Sequence, residues 1–300
     1  MKQLRWLLEF FIIIILCLPF ALLPLPLAVW TGGLSGRLLF LLWGSRRRIA
    51  VQNIRLSVEC GALKIGASPE AVAKESFINL GKSMAELAKI YYGFGDRIFD
   101  HIEVVGKEHF QKAQGKGQGI LMIGGHCGNW ELAALTFGVK VGHGAGVARE
   151  QNNPYLNSML EKVRLRYGNE LIYKKGAIKR ILSIMKKNGV VGILMDQAVL
   201  KDEGCLIDFL GRKAWTTKST ALIARKTGAA ILPAFIHRHV KGHVLTICPE
   251  VPLSSEVNAE KAVELDTAAC NATIEKYIRE HPGEWLWMHR RWKRASQEYS

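Results

Sequence analysis

No two of the six cysteines form a C-x-x-C pair; Cys17, Cys60, Cys127, Cys205, Cys248 and Cys270 are scattered singly along 300 residues. That spacing argues against a disulfide framework and against a zinc knuckle, and it fits reduced thiols in a cytosolic compartment. No glycine run matches G-x-G-x-x-G or a Walker loop, so a nucleotide cradle has little support. Internal repeats and low-complexity tracts are missing too. Acidic residues are scarce: 26 Asp and Glu face 41 Lys and Arg, a formal charge of +15. Such a balance favours an anionic partner, whether nucleic acid, acidic protein or anionic lipid. Beyond about residue 45 no second long apolar run occurs, so everything after it is expected to be water-soluble.

The first run is of another kind. From Leu7 to Trp43 the only charges are Glu9 and Arg37, with Lys2 and Arg5 before it and Arg46-Arg47-Arg48 after it. It exceeds the ~20 residues a membrane-spanning helix needs. It is also too long for a signal-peptide core, and no small-x-small cleavage site follows. Pro19, Pro24 and Pro26 interrupt a straight helix. Two geometries stay open: a span ending near Pro24, or a kinked, partly interfacial anchor. Basic residues on both flanks leave the orientation undecided.

Ser68-Pro69-Glu70 is a helix start, and Val72, Phe77, Leu80, Met84, Leu87 and Tyr91 continue one apolar face to about Gly93. The chain then alternates. Strands are expected at Ile120–Ile123, Ala145–Ala148, Val190–Met195, Ala229–Ile236 and Val244–Cys248. Helices are expected at Glu131–Phe137, from Pro154 to a stop at Gly168, and at Gly176–Asn188, Thr217–Thr227 and Asn258–Arg279. Strands alternating with helices imply an α/β fold: a mixed, largely parallel sheet flanked by helices.

Residues able to do chemistry sit where strands end. After Ile120–Ile123 the chain reads Gly124-Gly125-His126-Cys127-Gly128-Asn129-Trp130-Glu131. On one continuous helix, five steps of ~100° would separate His126 from Glu131. If Asn129 caps the helix, His126 lies on the approach loop, Glu131 in the first turn, and the two can meet. A carboxylate on one ring nitrogen leaves the other free to take a proton, which is half of an acyl-transfer site. Gly124, Gly125 and Gly128 could turn backbone N–H groups towards an oxyanion. The competing reading is a packed loop histidine with Glu131 serving the helix dipole. Arg149 follows a strand and suits a phosphate or carboxylate, or else pairs with Glu150. Asp196-Gln197 ends another strand, and Asp208–Thr216 combines a turn glycine, two cations and a hydroxyl, as an anionic head group or an ordinary loop would have it. Finally Glu284–Arg294 interleaves tryptophans with cations. That suits a bilayer interface, stacking on single-stranded nucleic acid, or locking the last helix onto the body.

Taken in order, Arg46-Arg47-Arg48-Ile49-Ala50…Asn53, His126-x-x-x-x-Glu131, Arg149…Asn153-Pro154, Asp196-Gln197, Phe209-x-Gly211…Ala214-x-Thr216 and Glu284-Trp285-x-Trp287-x-His289-Arg290-Arg291-Trp292 closely resemble the late acyltransferases of lipid A biosynthesis, the lauroyl/myristoyl acyltransferase family. The resemblance covers nearly the whole chain and implies a glycerol-phosphate-acyltransferase-like fold behind an N-terminal membrane-anchoring helix. Residues 1–45 would be the anchor and residues 46–300 an acyltransferase domain facing the cytoplasm at the bacterial inner membrane. It implies transfer of a fatty acyl chain from an acyl-carrier-protein thioester to a hydroxyl of a lipid A precursor. No metal or bound cofactor would be needed, and no nucleic acid partner. His126 would be the general base and Glu131 its orienting partner, with Arg149 and Asn153 at the same site. Asp196, Gln197, Phe209, Gly211 and Thr216 would shape the acceptor region. The chain departs from the family at Cys127, where larger apolar residues are common, and at Glu150, where proline is frequent. Direct transfer is preferred to a Cys127 thiol nucleophile, because a sequence neighbour rarely points towards the histidine that must deprotonate it. The rival readings are an acyl-CoA-dependent enzyme acting on another glycolipid or lysophospholipid, and a non-catalytic, membrane-tethered binding protein.

Overall fold

A computed structural model of the chain describes residues 2–174 and 176–295. Where the sequence offers one long apolar run, two helices form, α1 (Lys2–Leu22) and α2 (Leu25–Leu42), each long and apolar enough to cross a membrane. The break falls at Leu23-Pro24, where proline cannot donate into a continuing helix but is preset to begin a new one. Carbonyls at the end of α1 lack intrahelical partners. Lys89 Nζ takes those of Ala21 and Leu23 at 2.8 and 2.5 Å, and Tyr92 Oη donates to the Ile14 carbonyl at 2.6 Å.

Lys89 belongs to α4 (Pro69–Tyr91), which follows α3 (Gly44–Glu59). The expected cap is present: Ser68 Oγ accepts from the Ala71 N–H at 3.2 Å. Helix α2 lies along α4 with glycine against glycine. A Cβ on Gly32 would sit 2.6 Å from the Gly81 carbonyl oxygen, and one on Gly36 would strike the Phe77 carbonyl. Only residues without side chains allow this approach.

The remaining elements run α5 (Asp96–Asp100), β1 (Ile102–Val105), α6 (Lys107–Gln114), β2 (Ile120–Gly124), α7 (Trp130–Lys140), β3 (Ala145–Ala148), α8 (Pro154–Arg166), β4 (Glu170–Tyr173), α9 (Ala177–Met185), β5 (Val190–Leu194), β6 (Gly204–Phe209), β7 (Arg212–Thr217), α10 (Ser219–Thr227), β8 (Ala230–His239), β9 (Gly242–Ile247) and α11 (Ala259–Glu280). Seven strands form one sheet in the order β1-β9-β8-β2-β5-β3-β4. Among the described residues, only the β8–β9 pair of this sheet is antiparallel. The mixed, largely parallel sheet is therefore as expected. Every residue of β2 is buried, which fits a strand covered on both faces. Its parallel pairing with β5 sets Gly124 opposite Leu194, so the segments leaving the two strands emerge side by side. Ligand crevices form at such carboxyl edges.

The Phe209–Thr216 block differs from expectation. It belongs to an antiparallel β6–β7 hairpin outside the main sheet, turned at Leu210 and Gly211 with φ of 46° and 78°. The tail packs against this hairpin: Trp285, Trp287 and Trp292 are 1, 0 and 0% exposed. Arg291 lies 4.7 Å over the Phe209 ring and donates to the Trp215 carbonyl and the Thr216 hydroxyl. Asn53 Nδ2 donates to the Trp287 and His289 carbonyls at 2.8 and 3.0 Å. These tryptophans lock the C-terminal segment onto the body; they present no surface to a bilayer or to nucleic acid.

Candidate active site

Segments leaving β2 and β5 bring His126 and Asp196 together. Nδ1 of His126 lies 2.8 Å from Oδ1 of Asp196, and the His126 backbone N–H donates to Oδ2 at 2.8 Å. Trp285 Nε1 donates to that same Oδ2, also at 2.8 Å. Asp196 is 2% exposed. Burial alone would raise its pKa, but the charge and hydrogen bonds of His126, with the Trp285 indole, hold it well below the usual carboxylate range. An ionised carboxylate only accepts, so the proton sits on Nδ1 and Nε2 is left with a lone pair. For His126, burial pushes the pKa down, whereas the charge and hydrogen bond of Asp196, aided by Glu131, outweigh it and raise the pKa overall. Gln197 Nε2 lies 3.0 Å from His126 Nε2. The Trp130 ring meets the imidazole edge-on at 5.1 Å. His126, Gln197 and Trp130 all line a cavity of about 1110 Å³.

Glu131 stands where the capping argument put it, in the first turn of α7, with Asn129 Oδ1 accepting from Leu132 at 3.2 Å. It does not hold the histidine. Its carboxylate pairs with Arg164 of α8, at 2.6 Å to Nη2 and 3.2 Å to Nε. The orienting contact expected of Glu131 is made instead by Asp196, which sequence reasoning had assigned to the acceptor region. Parallel strand pairing brings residues seventy apart into contact, and local spacing could not reveal it.

The other candidates divide. Arg149, Gln197, Gly124 and Gly125 line the cavity. Asn153 does not: it caps α8 through Tyr155 and Leu156 at 3.0 and 3.4 Å, and its amide donates to the Trp6 carbonyl of α1 at 2.8 Å. Phe209 and Thr216 lie buried beneath the C-terminal tail, Gly211 is exposed beside Cys60 and Ala62, and none of the three is a cavity residue. Gly128, at φ 55°, is pressed against the Ile236 carbonyl, a position that excludes a Cβ. The turn's N–H groups are already engaged: that of His126 by Asp196, that of Cys127 by the Gly125 carbonyl at 2.7 Å, and that of Gly128 by the Glu284 carbonyl at 2.9 Å. Of the three glycines, Gly128 is therefore not offered to an oxyanion. Cys127 is buried, and burial, followed by the charges of Asp196 and Glu284, raises its thiol pKa well above the usual value. Such a thiol is a poor nucleophile. Trp285 was visible in the sequence only as part of a basic-aromatic tail; its contact with Asp196 depends on the tertiary fold.

A histidine with one nitrogen held by a buried carboxylate and the other turned towards a large cavity fits proton abstraction from a substrate hydroxyl. The family profile described as bacterial lipid A biosynthesis acyltransferase matches residues 1–294. The chain belongs to that family. It is similar to the Escherichia coli lipid A biosynthesis lauroyltransferase, 28% identical over 90% of this chain and 87% of the relative. The Escherichia coli lipid A biosynthesis palmitoleoyltransferase is 26% identical over 90% and 86%. A phosphatidylinositol mannoside acyltransferase of Mycobacterium tuberculosis is 25% identical over 76% and 73%. The enzyme class implied by the motifs is thereby met: the chain is an acyltransferase.

Proposed function

We propose that this acyltransferase moves a fatty acyl chain from an acyl-carrier-protein thioester to a hydroxyl of a lipid A precursor at the bacterial inner membrane. What carries the reading is Nε2 of His126, unprotonated and beside the Gln197 amide on the cavity wall while Asp196 holds Nδ1 at 2.8 Å. Nε2 takes the acceptor's hydroxyl proton, and the oxygen attacks the thioester carbonyl. The tetrahedral intermediate collapses, the thiolate leaves, and His126 returns the proton to it. Asp196 orients the ring and stabilises the imidazolium. The Gln197 amide, already beside Nε2, is placed to donate to the developing oxyanion. Glu131, paired to Arg164 on the cavity wall, serves substrate binding.

The surroundings support acidic substrates. Arg149, Lys174, Lys218, Lys226 and Arg294 line the cavity, and both a carrier protein and a phosphorylated glycolipid are anionic. Residues 1–45 serve as the membrane anchor, with residues 46–300 facing the cytoplasm. Leu8, Phe11, Ile15 and Leu16 of α1 and Trp30, Leu41 and Leu42 of α2 are exposed apolar side chains, suited to acyl tails. Helix α1 is tied to the body at Trp6, Ile14 and Ala21, which favours the kinked anchor lying against the catalytic domain over a free span.

The phosphatidylinositol mannoside relative supports a second reading, an acceptor that is a different glycolipid. One experiment covers both. The full chain in detergent is assayed with acyl-carrier-protein and acyl-CoA donors against lipid A precursor and a mannosylated phospholipid, with products weighed by mass spectrometry. The proposal expects the carrier-protein thioester and lipid A precursor to be preferred, with loss of transfer in His126→Ala. Transfer undiminished in that variant would sink it, and a preference for acyl-CoA or the mannolipid would replace it with the rival.

A further inference from the structure

On the sheet face covered by α7, one row of residues crosses five strands. Register aligns Leu232 of β8, Met122 of β2, Gly192 of β5, Gly146 of β3 and Leu171 of β4. Two neighbouring positions in that row have no side chain. Glycine inside a strand weakens it, so each calls for a reason. Backbone conformation is not the reason, since neither glycine has a positive φ. Crowding is not the reason either. A Cβ on Gly146 would meet no atom within 4 Å, and one on Gly192 would meet only the Ala145 carbonyl oxygen at 4.0 Å. Gly138 of α7 shows the contrast: a Cβ there would run into the Tyr167 carbonyl and sit 2.8 Å from Asn169 Nδ2.

What the two glycines leave is space, and the space belongs to the large cavity. Both line it, as do Ala133, Ala134 and Phe137 of α7. Small residues on sheet and helix keep that part of the cavity open, and the apolar side chains of Met122, Phe137 and Leu171 line it beside them. The row lies four residues before His126, at most ~13 Å at ~3.3 Å per extended residue. A fatty chain fixed at its carbonyl beside the base reaches that depth; an acetyl group does not.

We propose that Gly146 and Gly192 form a notch that receives the far end of the acyl chain and sets the longest chain the enzyme accepts. The inference rests on the acyl-transfer reading above. Methylenes entering the notch leave water for an apolar wall, and a side chain at either glycine removes their place. Valine suits a strand, so Gly146→Val and Gly192→Val keep the backbone while filling the notch.

The test is a competition assay. Full-length protein in detergent is given lipid A precursor and a mixture of acyl-carrier-protein donors from octanoyl to palmitoyl, and product masses are counted. Each valine variant should lower kcat/KM for long donors relative to short ones by at least about tenfold, with the short donors turned over near the wild-type rate. An unchanged chain profile overturns the notch, as does an equal loss on all donors by a folded variant. If wild-type protein transfers no chain, the functional reading fails and the notch with it; if only the variants' profiles refuse to shift, the notch alone fails. Should the valine variants not fold, Gly146→Ala and Gly192→Ala give the same readout. An alanine variant melting far below wild type would show the space is not open and would also overturn the inference.

Discussion

Trp285 donates its indole N–H to Oδ2 of Asp196 at 2.8 Å, so a residue from the C-terminal segment fixes the carboxylate that holds the His126 ring. Asp196 thereby has three donors: the His126 ring, the His126 backbone and the indole. A carboxylate so held is ionised and stationary, as an orienting group must be.

Asp196→Asn should lower kcat by about 10²–10⁴-fold, since the amide neither fixes the tautomer nor stabilises the imidazolium. Glu131→Gln should act mainly on KM, through its pairing with Arg164. A pH profile gives a second readout. His126 must be neutral to act, and its raised pKa places the acid limb above the ordinary ~6.5. Removing the Asp196 charge lowers that pKa, so the limb should move to lower pH. A collapse of kcat in Glu131→Gln with Asp196→Asn near wild type would restore the glutamate to the orienting role.

Trp285→Phe keeps an aromatic ring and deletes one hydrogen bond to a buried charge, worth about 1.5–3 kcal/mol. The expected result is a kcat about 10–100-fold lower in a folded protein, because Asp196 is freer to turn from Nδ1. Steady-state kinetics beside a thermal melt check it; wild-type kcat would mean that the indole only fills space.

Glu86 on α4 is 2% exposed and meets Arg238 at 2.5 and 2.9 Å, Asn129 at 2.9 Å and His243 at 3.4 Å. Burial would raise its pKa, but the hydrogen bonds and charges of His243 and Arg238 bring it down to about 2. A depressed carboxylate pKa contributes stability above the unfolded value, near 4.5, that is lost as pH falls towards about 2. Glu86→Ala should therefore destabilise by about 3–5 kcal/mol at neutral pH, leaving Arg238 without its partner. Melting curves should show the gap to wild type narrowing below pH ~4.5. A gap independent of pH would mean packing, not charge, is what was lost.

Local signals made much of the fold legible. Ser68, Asn129, Asn153 and Asn258 each cap the helix they were expected to begin. The apolar runs at Ile120 and Val190 became the paired strands β2 and β5. Some short elements escaped: β1 and β4 have four residues each, although β3, equally short, was expected. At the site, His126 was readable because a glycine-rich turn and a helix cap surround it. Its true partner was not, because Asp196 reaches it only through strand pairing. Proximity in sequence pointed to Glu131, which Arg164 had claimed from another helix. The family pattern supplied Asp196 as a site residue but not its contact.

The glycine contact between α2 and α4 bears on how the molecule is made. Helix α2 leaves the ribosome before α4, and the trench formed by Gly32 and Gly36 stays unfilled until Gly81 arrives. Helix α4 then waits in turn, its Glu86 charge unmatched until Arg238 is synthesised and its Ser76 hydroxyl until the Trp285 carbonyl appears. Each early segment is completed by a later one, and Asp196 receives its indole donor only once Trp285 has been made. A nascent chain interrupted before Trp285 would carry His126, Asp196 and most of the cavity lining, though not Arg294, so the pair is in place before the residue that clamps it.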